Sequence, residues 1–265
     1  MQKGVSISLL RYVSIDSMMI SYYIAIIALG AIVGSFANVV AYRLNSGRQI
    51  LTGRSKCDSC AEELSPFTLI PIISFLVLRG KCQMCGSKIG VSHFLAEVVL
   101  AALFGAAFYI HGFGIELVLS LIFLTLLSSI VIYDLRHTII PNVLVYPLIV
   151  VGGAMAYISG DIYTPIAASA MALFFALIWL FSKGRAMGFG DAKLVLALAL
   201  FVGYPLAITG FMLSFWIGAV ISVALLVIYG KRRTMSNEVP FAPYLAIGFL
   251  CAYLLQLNLL PSVFF

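Results

Sequence analysis

The sequence predicts an all-α membrane protein with about eight transmembrane helices and a small cytoplasmic zinc-binding loop domain after the first helix. Hydrophobic residues make up 63% of the 265 residues. Apolar runs long enough to cross about 30 Å of hydrocarbon recur along the chain. Two CxxC pairs lie in the one long polar segment. Together these observations indicate a polytopic membrane protein with one metal-binding insertion.

Apolar segments of suitable length predict eight membrane crossings, of which the sixth is short. The predicted spans are residues 18–42, 93–111, 115–134, 140–158, 164–182, 190–203, 206–229 and 242–262. A cleaved signal peptide is the alternative interpretation of residues 1–37, because basic residues precede an apolar stretch that ends in small residues. Cleavage there would place a strongly basic loop outside the membrane, which the usual distribution of Lys and Arg disfavours.

The 16 basic residues fall mainly in alternate loops. Seven follow the first span, namely Arg43, Arg48, Arg54, Lys56, Arg79, Lys81 and Lys88. Loops near 111–114, 158–163 and 203–205 carry none. Because Lys and Arg concentrate in cytoplasmic loops, the first span should run inward and the chain should end outside. The net charge of +6 then reflects membrane topology rather than nucleic-acid binding.

The polar loop at 43–92 contains CDSC at 57–60 and CQMC at 82–85. Two CxxC pairs at this separation suit one tetrahedral zinc ion, with Cys57, Cys60, Cys82 and Cys85 as ligands. Four thiolates close the coordination sphere, so the zinc is predicted to be structural. Disulfides are the alternative, which reducing conditions in the cytoplasm disfavour.

Two aspartates lie at the edges of apolar segments, Asp134 in YDLRHTIIPN and Asp191 in GFGDAKL. An ionised Asp near the bilayer centre costs about 2.5–3.5 kcal/mol, so a functional reason for both residues is expected. The predicted topology places them at the same depth on the inner side. Two neighbouring carboxylates can divide the work of amide hydrolysis, since one holds a proton while the other activates water. Gly188 and Gly190 leave room for an extended substrate strand.

These blocks, in this order, resemble the type IV prepilin peptidases, which are GxGD-type aspartyl proteases of the bacterial inner membrane. GSFANVVAYRL at 34–44 resembles the family's amino-terminal signature, and LIPIISFLVLRGKCQMCG at 69–86 resembles the segment between its cysteine pairs. VPFAPYLAIG at 239–248 resembles its closing motif. The resemblance implies a zinc-binding, methyltransferase-type region with the first helix in residues 1–92 and a membrane-embedded peptidase in residues 93–265.

The resemblance implies that Asp134 and Asp191 cut the basic leader from prepilins or pseudopilins at the cytoplasmic face. It also implies N-methylation of the new amino terminus with S-adenosylmethionine. The implied cofactor contacts are Gly34, Asn38, Arg43 and Glu97. The chain departs from the family at Asn45, where proline is common, and at Ser-His-Phe 92–94, where Arg-Tyr-Pro precedes the glutamate.

Several alternatives stay open at this point. The protein could be a peptidase without methyltransferase activity, and Glu97 an ordinary helix-start glutamate. Paired carboxylates at membrane depth also occur in ion and proton transporters. A transporter, however, has no need of a zinc loop and would favour an internal repeat, which the sequence does not display. A scaffold for pilus assembly would retain its function without either aspartate.

Overall fold

The computed structural model describes residues 3–45, 55–57, 59–185, 187–229 and 240–258. Within these ranges the secondary structure is helical, apart from two isolated β-bridges. A short 3-10 turn spans Pro66–Leu69. The helices are α1 Lys3–Arg43, α2 Ile73–Val77, α3 Val91–His111, α4 Ile115–His137, α5 Asn142–Ser159, α6 Tyr163–Ser182, α7 Phe189–Val202, α8 Leu206–Tyr229 and α9 Ala242–Leu255.

Six helices in the described ranges are long and apolar enough to cross a membrane. They comprise Met18–Arg43 within α1, the whole of α3 to α6, and Leu206–Ile228 within α8. The predicted all-helical membrane architecture is therefore confirmed. Helices α7 and α9 coincide with the other two predicted spans but have only 14 residues each. The predicted end of the last span at 259–262 lies outside the described residues.

The chain forms two compact units that divide between Leu117 and Val118. The first comprises α1, α2, α3 and the cysteine loop, and α3 packs along α1. Gly30 and Gly34 make this contact possible: a Cβ at either position would lie 2.8 Å from a backbone Cα of α3. Small residues four apart let membrane helices approach this closely.

The second unit contains α4 from Val118 onward together with α5 to α9, with α7 at its centre. Helix α7 contacts α5, α6, α8 and α9, and Phe201 near its end stacks on Phe123 of α4 with ring centroids 3.9 Å apart. A Cβ on Gly152 of α5 would lie 2.7 Å from the carbonyl oxygen of Ala197 in α7. Since α7 is surrounded by other helices, a polar residue at its start faces protein groups.

Candidate active site and metal centre

Asp134 lies in the last turn of α4 and is only 4% exposed. Its Oδ2 accepts a hydrogen bond of 3.2 Å from the backbone N–H of Ala242. Ala242 is the first residue of α9, where backbone N–H groups lack partners within the helix and the helix dipole favours negative charge. The start of α9 is thereby joined to the Asp134 carboxylate.

Asp191 lies in the first turn of α7 and is half-buried. Its carboxylate is close enough to that of Asp134 for the two to interact electrostatically. The contact between Gly190 and Ile140 accounts for this proximity, because a Cβ on Gly190 would lie 2.9 Å from the Cβ of Ile140. Ile140 belongs to the segment that leaves Asp134, so the two aspartate motifs meet at these two residues.

Gly188 lies beside the Asp191 carboxylate. A Cβ at this position would come within 3.6 Å of Asp191 Oδ2, an ordinary van der Waals distance. The backbone carbonyl of Gly188 accepts the Asp191 N–H at 3.2 Å, which begins the helix at this point. Because Gly188 has no side chain, it leaves the neighbouring side of the Asp191 carboxylate uncovered.

Lys193 is a residue of this site that the sequence analysis missed. Its Nζ donates to Asn142 Oδ1 at 2.8 Å and to the Tyr146 hydroxyl at 3.1 Å. The same Nζ lies 4.8 Å from the centroid of the Tyr146 ring and 5.2 Å from that of Phe189. The contacts tie the start of α5 to the first five residues of α7. The sequence signal that could have identified this contact is the presence of Asn142 in the first aspartate motif and Lys193 in the second.

The four cysteines predicted to bind zinc lie together, with their Sγ atoms all within 4.8 Å of one another. Cys57 Sγ and Cys85 Sγ are 3.9 Å apart. All cysteines in the described ranges are free thiols. Tetrahedral zinc with Zn–S bonds of about 2.3 Å separates its sulfurs by about 3.8 Å. The cluster is therefore a group that can hold a metal ion.

Each cysteine pair is held by the same backbone turn. In the first, the Cys57 N–H donates to the carbonyl of Glu62 and the Ala61 N–H to that of Cys57, both at 2.9 Å. In the turn that begins at Cys82, the corresponding distances are 2.8 and 3.0 Å. The two turns present their thiols in the same way, so four ligands arise from two copies of one local structure.

Hydrogen bonds favour the thiolate at two of these positions. Backbone N–H groups of Cys60 and Ser59 lower the pKa of Cys57 to about 6. The hydroxyl of Ser87 lies 3.0 Å from Cys85 Sγ and lowers the pKa of that thiol. The thiolate is the form that coordinates a metal, so these turns favour the ligating state of both residues.

Asn38 and Gly34 lie where α1 meets α3. Asn38 is 4% exposed, and its Nδ2 donates to the carbonyl oxygens of Gly34 at 3.1 Å and His93 at 3.4 Å. The buried Asn38 Oδ1 has no hydrogen-bond partner among the described residues. The space beside Gly34 is filled by the backbone of α3 at Ala96 and Glu97. Gly34 is thus a position of close helix packing.

Glu97 anchors the loop between the cysteine pairs. Its Oε2 accepts the backbone N–H of Ile72 at 2.8 Å. Ile72 has a φ of +63°, which is costly for a β-branched residue, and this hydrogen bond helps to hold it. Gly34, Asn38 and Glu97 thus share one helix interface. Arg43, half-buried, ends α1 about 7.5 Å further along the helix axis than Asn38.

Comparisons with known proteins identify relatives along both halves of the chain. Residues 28–111 match the family model of the bacterial Peptidase A24 N-terminal domain, and residues 121–223 match that of the type IV leader peptidase family. A Bacillus subtilis protein named prepilin leader peptidase/N-methyltransferase is 33% identical over 85% of this chain and 91% of its own length. A Pseudomonas aeruginosa protein of the same name is 28% identical over 86% and 89%. No solved structure matches the chain significantly.

The family matches cover both halves of the chain, including the α1–α3 interface and the helices that carry the two aspartates. At 33% identity across nine tenths of a relative's length, the likeness extends over most of the chain and is not confined to a single motif. The chain therefore belongs to the type IV leader peptidase family.

Proposed function

We propose that this protein removes the leader peptide from type IV prepilins or pseudopilins and then methylates the new amino terminus. Both activities appear in the names of relatives that match most of the chain. The observation that carries the peptidase assignment is the junction of Asp134 and Asp191 through the contact of Gly190 with Ile140. Two interacting, largely buried carboxylates can supply the general acid and the general base that hydrolysis of an amide requires.

The proposed proteolysis uses the two carboxylates in opposite protonation states. The ionised carboxylate takes a proton from water, whose oxygen attacks the carbonyl carbon of the scissile bond, while the protonated carboxyl group gives its proton to the carbonyl oxygen. The C–N bond then breaks, and the departing nitrogen takes up a proton to leave as an amine. The Ala242 N–H fixes one oxygen of Asp134 throughout. No metal takes part in these steps.

The proposed topology has eight crossings, with the amino and carboxyl termini outside and the aspartates at the cytoplasmic face of the bacterial inner membrane. Helices α7 and α9 extend about 21 Å each, less than the hydrocarbon thickness. Helix α7 can be short because other helices surround it. This arrangement suits a substrate whose basic leader lies in the cytoplasm and whose following apolar segment stays in lipid.

The cysteine cluster is proposed to hold a structural zinc ion. Its sulfur separations suit tetrahedral zinc, and four thiolates leave no coordination position for an activated water. We assign the metal-binding, methyltransferase-type function to residues 1–92 and the peptidase function to residues 93–265, with the α1–α3 contact linking the two.

The residues at the α1–α3 interface fit a polar, positively charged cofactor. Asn38 Oδ1 is a buried acceptor in need of a donor, and Glu97 supplies a carboxylate on the neighbouring helix. We propose that Asn38, Arg43 and Glu97 hold S-adenosylmethionine, and that Gly34 allows the helix approach that brings them together. When bound, this cofactor supplies a methyl group on a cationic sulfur, from which an unprotonated amine can accept it.

Mass spectrometry of a prepilin incubated in detergent with purified protein tests both activities. Wild type should release the leader and, with S-adenosylmethionine, add one methyl group. Asp134→Ala and Asp191→Ala should each abolish cleavage. Asp161→Ala is the matched control, because Asp161 caps the start of α6 through Tyr163 and Thr164 and should affect stability alone. Cleavage by either dyad variant would remove that aspartate from the mechanism, and cleavage without methylation would leave a peptidase only.

A further inference from the structure

The loop between α1 and α3 has an exposed apolar face that the proposed function does not explain. It is formed by Phe67 of the 3-10 turn, by Ile73, Leu76 and Val77 of α2, and by Met84. Each of these residues is between 59% and 81% exposed. Exposed apolar side chains grouped on one loop in this way often mark a binding site for protein or membrane. We call these five residues the interfacial face.

The position of α2 beside α3 indicates what covers this face. Phe75 of α2 stacks on Phe94 of α3, with ring centroids 4.7 Å apart and planes inclined by 20°. The hydrogen bond from the Ile72 N–H reaches Glu97, one turn further along α3. Helix α3 is an apolar helix of 21 residues, and its length of about 31 Å is close to the hydrocarbon thickness. Phe94 and Glu97 lie only about 4.5 and 9 Å from its first residue.

Helix α2 is therefore fixed beside the first two turns of a helix that spans the membrane. With α3 crossing the hydrocarbon over its full length, that level corresponds to the lipid headgroups and the ends of the acyl chains. The apolar face of α2 is exposed on the molecule yet lies at a depth where bulk water is scarce. Geometry alone thus favours lipid over water as its neighbour.

The charges around the face match an anionic membrane surface. Residues 64–90 contain Arg79, Lys81 and Lys88 and no acidic residue. All three basic side chains are exposed. The acidic residues of the loop are confined to 58–63, around the first cysteine turn. A Lys or Arg near an anionic leaflet contributes about 1 kcal/mol of attraction each.

We propose that the interfacial face inserts into the headgroup region of the bilayer leaflet, with Arg79, Lys81 and Lys88 at the phosphates of anionic lipids. The cysteine cluster, which is formed by the chain segments on either side of α2, is thereby held at the membrane surface. This contact belongs to the resting protein and needs no substrate. It stands independently of the proposed peptidase and methyltransferase activities.

Fluorescence quenching by brominated lipids tests the proposal on the full-length protein in nanodiscs. Val77→Trp places a reporter at the centre of the face, and Glu62→Trp places a control at an exposed position near the first cysteine turn. The emission of the native Trp179 and Trp216, measured on the unsubstituted protein, is subtracted from that of each variant. With phosphatidylglycerol brominated near the headgroup end of its acyl chains, the reporter at 77 should lose roughly half its emission while the control stays unquenched.

Equal quenching of the two reporters by the brominated lipid would overturn the proposal. Quenching or a blue shift at 77 that develops only after a prepilin is added would assign the face to the substrate's apolar segment and also overturn it. The charge contribution has its own test: changing Arg79, Lys81 and Lys88 together to Gln should lower the quenching in phosphatidylglycerol to the level found in phosphatidylcholine. Unchanged quenching would refute the role of the three cations.

Discussion

The aspartate pair and the cysteine cluster both assemble residues that are distant in sequence, but they do so by different physical means. Asp134 and Asp191 are separated by two whole helices and meet because α7 is buried among its neighbours. The cysteines sit in two short turns closed by local hydrogen bonds. Among described residues 55–90, only Gly80 and Cys82 are buried. The aspartates therefore depend on helix packing, whereas the cysteine loop is expected to depend on the metal that it is proposed to bind.

Loss of the metal site should have the largest expected effect, and this effect should be confined to the cysteine loop. Zinc supplies on the order of 10 kcal/mol of folding free energy in small zinc peptides, and this loop has almost no core to replace it. Cys82→Ser should therefore let trypsin cut at Arg79, Lys81 and Lys88, while the thermal unfolding of α4 to α9 stays unchanged. Limited digestion followed by mass spectrometry measures this. Cys251→Ser, outside the cluster, should behave as wild type, and a resistant loop in Cys82→Ser would contradict the dependence on metal.

Gly190→Ala should produce the next largest effect, this time on the aspartates. The added Cβ would lie 2.9 Å from that of Ile140, so the two motifs must separate. A displacement of about 1 Å at a catalytic site can cost about 100-fold in rate, and we expect leader cleavage to fall by about that factor. Single-turnover cleavage in detergent measures it, while metal content should stay the same.

Two further variants identify the cause of that loss. Gly153→Ala introduces the same methyl group where no atom lies within 4 Å, and it should cleave at the wild-type rate. Removing the opposing Cβ with Ile140→Gly in the Gly190→Ala background should recover part of the lost rate. If the double variant is slower than Gly190→Ala alone, the contact with Ile140 is not the reason for the effect.

These differences explain what the sequence could predict. Cysteine spacing reports directly on a local turn, and the four ligands were therefore predicted as the set that the structure brings together. The aspartates were recognisable because charge is rare in apolar segments. The helix positions followed from apolar length, since the predicted spans coincide with observed helices. Such sequence signals arise where a single residue type, a fixed spacing or the length of an apolar segment is enough to predict the structure.

Other features leave no such signal. The donor to Asp134 is a backbone N–H, which any residue except proline would supply at position 242. The Gly190–Ile140 contact depends on how α5 and α7 pack, which no local pattern encodes. Gly34 stood out as part of a motif, but its close approach to Glu97 becomes visible only once α3 lies on α1. Eight crossings remain a prediction for the same reason, since α7 and α9 fall short of the usual length.

Lys193→Met should have a moderate effect, because it weakens the packing of α5 on α7 without adding bulk. The change removes two hydrogen bonds, to Asn142 and Tyr146, and retains the apolar stem. We expect cleavage to slow about tenfold, equivalent to about 1.4 kcal/mol. Asn142→Ala should add little to Lys193→Met if both act through one contact. Additive losses in this double-mutant cycle would show that the two residues act separately.

The smallest effect concerns the two cysteine turns, which carry different residues directly after their second cysteine, Ala61 in the first turn and Gly86 in the second. The residue after the second cysteine is left-handed in both turns, with φ of +58° at Ala61 and +68° at Gly86. Gly86→Ala meets no atom within 4 Å, so its cost is conformational, about 1 kcal/mol, and zinc affinity should weaken about fivefold. Ala61→Gly should strengthen affinity by a similar factor, and the double variant should return close to wild type. Competition with a chromophoric chelator measures all three. Changes of zinc affinity in opposite directions would show that the two turns are equivalent. A loss of affinity in both variants would mean that the first turn depends on the Ala61 side chain.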